Sequence, residues 1–166
     1  RNTDAARLLG GAQTEQVLTW TDKDMGKCKA KLDARRDTVS GSSLVEYKST
    51  SKIVPAAFAF QCLQMGYDLQ LGWYSHGIEA VLGKWPANVF LIAQESKPPY
   101  DVVVYTVPNA ITLPAYERAA EIGKRYRAHE TAGFLPGVAD QMITLELPTF
   151  GGGVKELDME GVEDAS

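Results

Sequence analysis

Alternating hydrophobic and charged residues predict three strands in the first third of the chain. Over residues 28–34 (CKAKLDA) small or apolar residues alternate with charged ones, which is the period of a half-buried strand. A second strand is predicted at 15–20 (EQVLTW), and the Asp- and Gly-containing segment between the two predicts a hairpin turn. A third strand is predicted at 44–49 (LVEYKS), after a polar connection over 35–43.

Later in the chain, apolar residues recur at helical spacing on either side of two more strand-like runs. The predicted helices are 4–9, a segment from Pro55 to a break at Gly66, a segment from there to a C-cap at Gly83, and 111 to about 131. The predicted strands are 88–94 (NVFLIAQ) and 101–107 (DVVVYTV). This order predicts an α/β or α+β domain, in which helices flank a central mixed sheet of five strands.

The composition is that of one folded domain with a charged end. The chain has 166 residues, of which 45% are hydrophobic and 23% charged, and this excludes a disordered or collagen-like chain. Residues 155–166 contain one lysine and five acids, so without them the 17 basic and 21 acidic residues become 16 and 16. We therefore expect a domain over 1–150 and a flexible acidic tail over 151–166. Because that domain is neutral overall, a nucleic-acid site would have to rest on local clustering of charge.

Cysteine usage and hydropathy exclude several other classes of protein. Cys28 and Cys62 are isolated, and the absence of a C-x-x-C pair excludes a zinc ribbon or an iron–sulfur cluster built by this chain. Two such thiols are typical of reduced core residues in a cytoplasmic protein. No apolar run approaches the roughly 18 residues that would span a bilayer, so we expect no association with a membrane.

Three charged residues on adjacent predicted strands form the most informative pattern. Glu46 and Lys48 lie two residues apart, so they share a face with Leu44, and Tyr47 points to the other face. Asp33 is placed at the end of the preceding strand. If the two strands pair with their polar faces matched, two carboxylates and one ammonium converge. Two carboxylates can hold Mg²⁺, which polarises a phosphate oxygen, and the lysine can orient water, so the pattern predicts metal-assisted hydrolysis of a phosphodiester.

Simpler interpretations exist for each of these residues taken alone. Alternating charges are common on solvated strand faces, and for Asp33, Glu46 and Lys48 by themselves this is the favoured interpretation. Gln70 and Tyr74 share one helical face with Tyr67. An aromatic pair that faces the core explains that spacing as well.

Four segments in order resemble the RecE, or exonuclease VIII, nucleases of the PD-(D/E)xK superfamily. They are GKCKAKLDA, LVEYKSTS, GYDLQLGWYSHGIEAVLG and FLIAQESKPPYDVVVYTV, and the resemblance covers about residues 15–150. It implies the restriction-endonuclease-like core of that superfamily. The residues that it assigns to the site are Asp33, Glu46 and the backbone carbonyl of Tyr47 as metal ligands, Lys48 as the lysine of the E-x-K motif, and Gln70 and Tyr74 as a Q-x-x-x-Y pair that reaches the active site and the DNA.

The same resemblance implies an activity and partners. The activity is that of a Mg²⁺-dependent exodeoxyribonuclease, with Mn²⁺ as an alternative ion, which digests one strand of linear double-stranded DNA from the 5′ end. The 3′ single-stranded ends that remain would serve DNA recombination by strand annealing. The implied partners are a single-strand annealing protein and further copies of the chain in a ring around the DNA, and the implied origin is a phage or prophage.

One ligand that the family expects is missing from this sequence. The family places a further acid or His on a helix upstream of the hairpin, and neither Asp4 nor Glu15 matches that motif. Because the chain does not begin with Met, we expect that helix to lie outside it. Two alternatives therefore stay open: a structure- or site-specific endonuclease of the same superfamily, and a non-catalytic DNA-binding module on a degenerate nuclease core.

Overall fold

In this computed structural model the described residues are 2–135, Gly137 and Thr144. Arg1–Leu135 forms one compact unit. Its elements are α1 (Thr3–Leu9), β1 (Gln13–Asp22), β2 (Gly26–Thr38), β3 (Gly41–Thr50), α2 (Pro55–Gln64), α3 (Tyr67–Leu82), β4 (Asn88–Glu95), β5 (Val102–Thr106) and α4 (Asn109–Ala132). The predicted tail over 151–166 and the predicted domain boundary before it lie outside the described residues.

The five strands form one mixed sheet in the order β1-β2-β3-β4-β5. β1 with β2, β2 with β3, and β4 with β5 are antiparallel, whereas β3 and β4 are parallel and are joined through α2 and α3. The predicted five-stranded mixed sheet flanked by helices is therefore confirmed. In the part of the chain that the structure describes, no helix is both long and apolar enough to cross a membrane.

The predicted polar connection over 35–43 is wrong. β2 continues to Thr38 and β3 begins at Gly41, so most of this segment is strand. Arg35 is buried opposite Leu44, and its guanidinium donates hydrogen bonds to Gln13 and Asp37. These hydrogen bonds compensate part of the cost of burying the guanidinium, so a polar sequence can form a strand here.

The two faces of the sheet carry separate cores. The core under α2 and α3 contains residues of both kinds of element, among them Leu18, Leu32, Leu44, Leu71, Ile78 and Leu91. The core under α1 is smaller and contains Ala5, Ala34, Val45 and Ile92. Asn2 begins α1, because its side chain accepts from the Ala5 N–H and donates to the carbonyl of Val102 on β5.

Close packing against α4 fixes the position of α3, the helix that lies over β1 and β2. A Cβ atom on Gly72 would lie 2.4 Å from the Tyr116 backbone nitrogen and 2.8 Å from the Thr112 carbonyl oxygen, so only glycine allows this approach. α3 ends at Gly83 in the left-handed conformation (φ 78°), as predicted. A rigid α3 holds the side chains on its sheet-facing side in a defined place.

Candidate active site

The site forms at a point on β2 where the alternation of side chains between the two faces of the sheet is interrupted. Leu32 packs in the core under α2 and α3, whereas Ala34, two residues later, packs in the opposite core. Residues two apart on a regular strand share a face, so the change occurs at Asp33. The β2–β3 ladder also begins only at Ala34, opposite Val45. The prediction that Asp33 ends its strand is therefore wrong: Asp33 lies inside β2, at the point where β2 and β3 separate.

Where the β2–β3 ladder stops, carboxylate oxygens accept hydrogen bonds from the backbone N–H groups. The Asp33 N–H donates to Glu46 Oε1 at 3.1 Å, and the Tyr47 N–H donates to Asp33 Oδ2 at 2.9 Å. Each carboxylate thus binds the backbone of the neighbouring strand, which holds both side chains in the gap. The predicted convergence of Asp33 and Glu46 is present, but it arises from strand separation and not from matched polar faces.

Glu46 is an acid held almost entirely out of solvent. Its side chain is 1% exposed and lies beside Leu44 and Leu91. The pKa of the Glu46 carboxyl is raised from 4.5 to about 7, first by burial and also by the negative charge of Asp33, while the Asp33 N–H and Lys48 act in the opposite direction. A carboxyl with this pKa exchanges its proton readily near neutral pH, or gives it up to a cation.

Lys48 faces the same gap from the strand that carries Glu46. Its Nζ lies 3.3 Å from Glu46 Oε2, and its side chain is 15% exposed. The ring of Tyr67, the first residue of α3, lies with its centroid 5.0 Å from the same Nζ. Tyr67 was not among the predicted site residues, although its spacing to Gln70 and Tyr74 already placed it on their helical face.

Gln70 and Tyr74 follow Tyr67 along α3. Gln70 Nε2 donates to the Tyr74 hydroxyl at 2.9 Å, and Tyr74 packs against the core under α3. Among the described residues, the side-chain hydrogen bonds of Gln70 and Tyr74 do not include Asp33, Glu46 or Lys48, and the catalytic role of both residues stays a prediction.

The donor set fits a hard divalent cation. Mg²⁺ is commonly held by one or two carboxylates with water in its remaining positions, and Asp33, Glu46 and the Tyr47 carbonyl supply oxygen ligands of that kind. Within residues 2–135 no group of three or more His, Cys, Asp or Glu side chains is arranged to hold a metal. Asp4 pairs with Arg7 and Glu15 pairs with Lys31.

Comparison with known proteins identifies the fold. No family model matches the chain, and no curated protein matches it. The crystal structure of the "Putative exonuclease" from Eubacterium rectale aligns with a TM-score of 0.61 at 14% identity, over 89% of this chain and 59% of that one. The two chains share a fold.

A second crystal structure, of the protein SSO0001, aligns with a TM-score of 0.43 at 14% identity over 86% of this chain and 66% of that one. The chain thus spans less than two thirds of the length of either protein. At this identity the likeness to the first structure extends to the arrangement of helices and strands and not to the chemistry of the site.

Proposed function

We propose that this protein is a Mg²⁺-dependent deoxyribonuclease that hydrolyses phosphodiester bonds. The observation that carries the proposal is the gathering of Asp33, Glu46 and Lys48 in the gap between β2 and β3. The shared fold with a protein described as an exonuclease supports it. A solvated strand face does not account for Glu46, since that side chain is buried.

The side chains of the site suit distinct parts of this reaction. Asp33, Glu46 and the Tyr47 carbonyl would hold the cation, which when bound supplies charge to a phosphate oxygen and acidity to water. Lys48 would bind the same phosphate or orient the attacking water, since its ammonium lies 3.3 Å from Glu46 Oε2. Tyr67 would keep that ammonium in place by contact with its ring, and the Gln70–Tyr74 pair would limit the space open to the substrate.

The proposed substrate is linear double-stranded DNA, digested as an exonuclease from the 5′ end to leave 3′ single-stranded ends for recombination. A ring of copies around the DNA would explain how a chain of low net charge retains its substrate. A single-strand annealing protein would receive the product. A phage or prophage origin, with the enzyme acting in the cytoplasm, fits this pair of activities.

The test compares linear with covalently closed circular duplex DNA in the presence of Mg²⁺, Mn²⁺ or a chelator. We expect loss of the linear substrate only with metal, and an intact circle. Glu46→Gln should be inactive, whereas Glu117→Gln, which removes the same charge from the exposed part of α4, should be active. Cleavage of the circle would replace the exonuclease with an endonuclease, and metal-dependent activity in Glu46→Gln would contradict the site.

A second candidate is a non-catalytic DNA-binding module. The observation that favours it is that, among the described residues, no third acid or His joins the two carboxylates in a group arranged to hold a metal ion. A calorimetric titration with Mg²⁺ and Mn²⁺ separates the candidates. Binding that is lost in Asp33→Asn supports the nuclease, and no binding by the unaltered protein supports the module.

A further inference from the structure

The edge of β2 that faces β3 is free along residues 26–33. β2 pairs with β1 from Gly26 to Leu32, but it pairs with β3 only from Ala34 onward. This part of β2 therefore has a partner strand on one side, and on its other side no strand of the described chain accompanies it. Such an edge presents backbone N–H and C=O groups to which a further extended chain can add.

Two hydrogen bonds show in which direction the backbone of this edge points. The Asp33 N–H donates to a carboxylate on β3, and the Lys29 carbonyl accepts from the Trp73 indole at 3.0 Å. Backbone groups of residues two apart in a strand point to the same edge, so those of Lys27 and Lys31 share this direction. Within residues 2–135, no hydrogen bond outside the strand ladders involves the backbone of Lys27 or Lys31. Their N–H and C=O groups, and the Lys29 N–H, are therefore open to a partner.

The side chains along this edge separate by charge between the two faces of the sheet. Ala30 and Leu32 are buried in the core under α3. Lys27, Lys29 and Lys31 alternate with these residues and are exposed, so they point to the face of the sheet opposite α3. The residues paired with the three lysines on β1 are also exposed and carry no charge. One face of the edge is therefore basic, and the other is apolar.

A chain added at this edge would meet different surroundings on its two faces. Lys31 pairs with Glu15, but none of the ion pairs formed within residues 2–135 involves Lys27 or Lys29. Acidic side chains on the lysine face would have these two cations directly across the strand pair. Apolar side chains on the other face would lie near Trp73, where residues of β2, α3 and α4 line a cavity of about 640 Å³.

We propose that the free edge of β2 binds an extended polypeptide segment, in which acidic and apolar residues alternate, as an added strand. Its backbone would pair with the open N–H and C=O groups, and its acidic side chains would lie beside Lys27 and Lys29. A nucleic-acid backbone could satisfy the lysines, but it has no N–H groups to donate to the carbonyls of the edge. The inference does not depend on the proposed nuclease function.

The direct test is amide hydrogen exchange, followed by NMR with and without an eight-residue peptide of alternating glutamate and valine. In the protein alone, the N–H groups of Lys27, Lys29 and Lys31 should exchange faster than those of Cys28 and Ala30, which point to β1. With peptide at about ten times its dissociation constant, the three lysine amides should exchange about tenfold more slowly. The amides of Cys28 and Ala30 are the internal control and should not change by a comparable factor.

N-methylated peptides test whether the ligand binds as a strand. A strand uses the N–H groups of every second residue along one edge, so methylation of either the glutamate or the valine amides should abolish binding, and methylation of the other set should leave it. Isothermal titration calorimetry gives both affinities. An equal effect of the two sets would overturn the added strand.

The charge of the edge has its own pair of variants. Lys27→Gln/Lys29→Gln should bind the glutamate–valine peptide at least about fivefold more weakly near 0.1 M salt, and the difference should shrink near 1 M salt, where charges are screened. Lys84→Gln/Lys97→Gln removes two exposed lysines elsewhere and should bind like the unaltered protein. Circular dichroism and thermal melting of each variant check that the fold is intact.

Several further outcomes would overturn the inference. They are no binding by the unaltered protein at about 1 mM peptide, slowed exchange at amides other than those of the edge, and an equal loss of affinity in the two double variants. If single-stranded oligothymidine slows the exchange of these amides and the peptide does not, the edge receives nucleic acid. If exchange slows with rising protein concentration in the absence of peptide, the edge binds a second copy of the chain.

Discussion

The two halves of the β2–β3 pair differ in what completes their hydrogen bonds. From Ala34 opposite Val45 to Thr38 opposite Gly41, backbone groups pair with each other. On the other side of Ala34 the strands separate, and the carboxylates of Asp33 and Glu46 accept the N–H groups that a ladder would have used. The closed half contributes stability, and the open half holds charged groups at defined positions. A strand pair can therefore build a reactive site by ending its ladder early.

The largest expected effect concerns the open half. Lys48→Ala should lower metal-dependent cleavage of linear duplex DNA by at least about 100-fold, because no other described cation is paired with the Glu46 carboxylate. Lys52→Ala, which removes an exposed lysine four residues later, serves as the control. Rates are measured by release of acid-soluble nucleotides. An equal loss of cleavage rate in both variants would show that the rate depends on positive charge in this region and not on Lys48 itself.

Leu44→Ala tests the closed half. Leu44 is 0% exposed and shares its strand face with Glu46 two residues away. We expect its truncation to lower the free energy of unfolding by about 2–5 kcal/mol through lost burial and the cavity that remains. Urea denaturation followed by circular dichroism gives the change. At a temperature where the variant is folded, its cleavage rate should stay within a few-fold of the unaltered protein, and a loss as large as that of Lys48→Ala would contradict the division between the halves.

The pH dependence of stability sharpens the comparison further. The pKa of Glu46 is about 7 in the folded protein and 4.5 as its ordinary value, so the folded state binds more protons between these pH values. The contribution of Glu46 to the free energy of unfolding is therefore largest below pH 4.5 and falls as the pH rises to about 7, by about 3 kcal/mol at most. Glu46→Gln should lack this fall.

The measurement is a series of urea denaturations in a chelator from pH 5 to pH 8. The difference in the free energy of unfolding between Glu46→Gln and the unaltered protein should shift in favour of the variant as the pH rises. A difference that is constant with pH would mean that Glu46 titrates near its ordinary pKa in the folded protein.

Tyr67→Leu should produce the smallest effect. It removes the ring beside Lys48 Nζ, a contact of the kind that contributes about 0.5–1 kcal/mol, so cleavage should fall by roughly two- to fivefold. Tyr67→Phe keeps the ring and should retain the rate. A large loss in Tyr67→Phe would indicate that the hydroxyl and not the ring acts in the site.

Much of the fold could be predicted from local patterns. Period-two alternation in β2, the apolar run of β4 and the break at Gly66 depend on residues close in sequence, and the structure has these elements where they were expected. The prediction failed over 35–43 because Arg35 is buried, with Gln13 of the neighbouring strand β1 as one of its hydrogen-bond partners. Composition does not reveal such partners.

The candidate site divides in the same way. That Glu46 and Lys48 share a strand face with Leu44 follows from the sequence, because successive side chains of a strand alternate. The change of face at Asp33 and the contact of Tyr67 with Lys48 depend on how distant segments pack. The sequence by itself determined which chemical groups each element carries. Only the tertiary structure decided which of them meet, because strand register and helix packing are set by contacts between residues far apart along the chain.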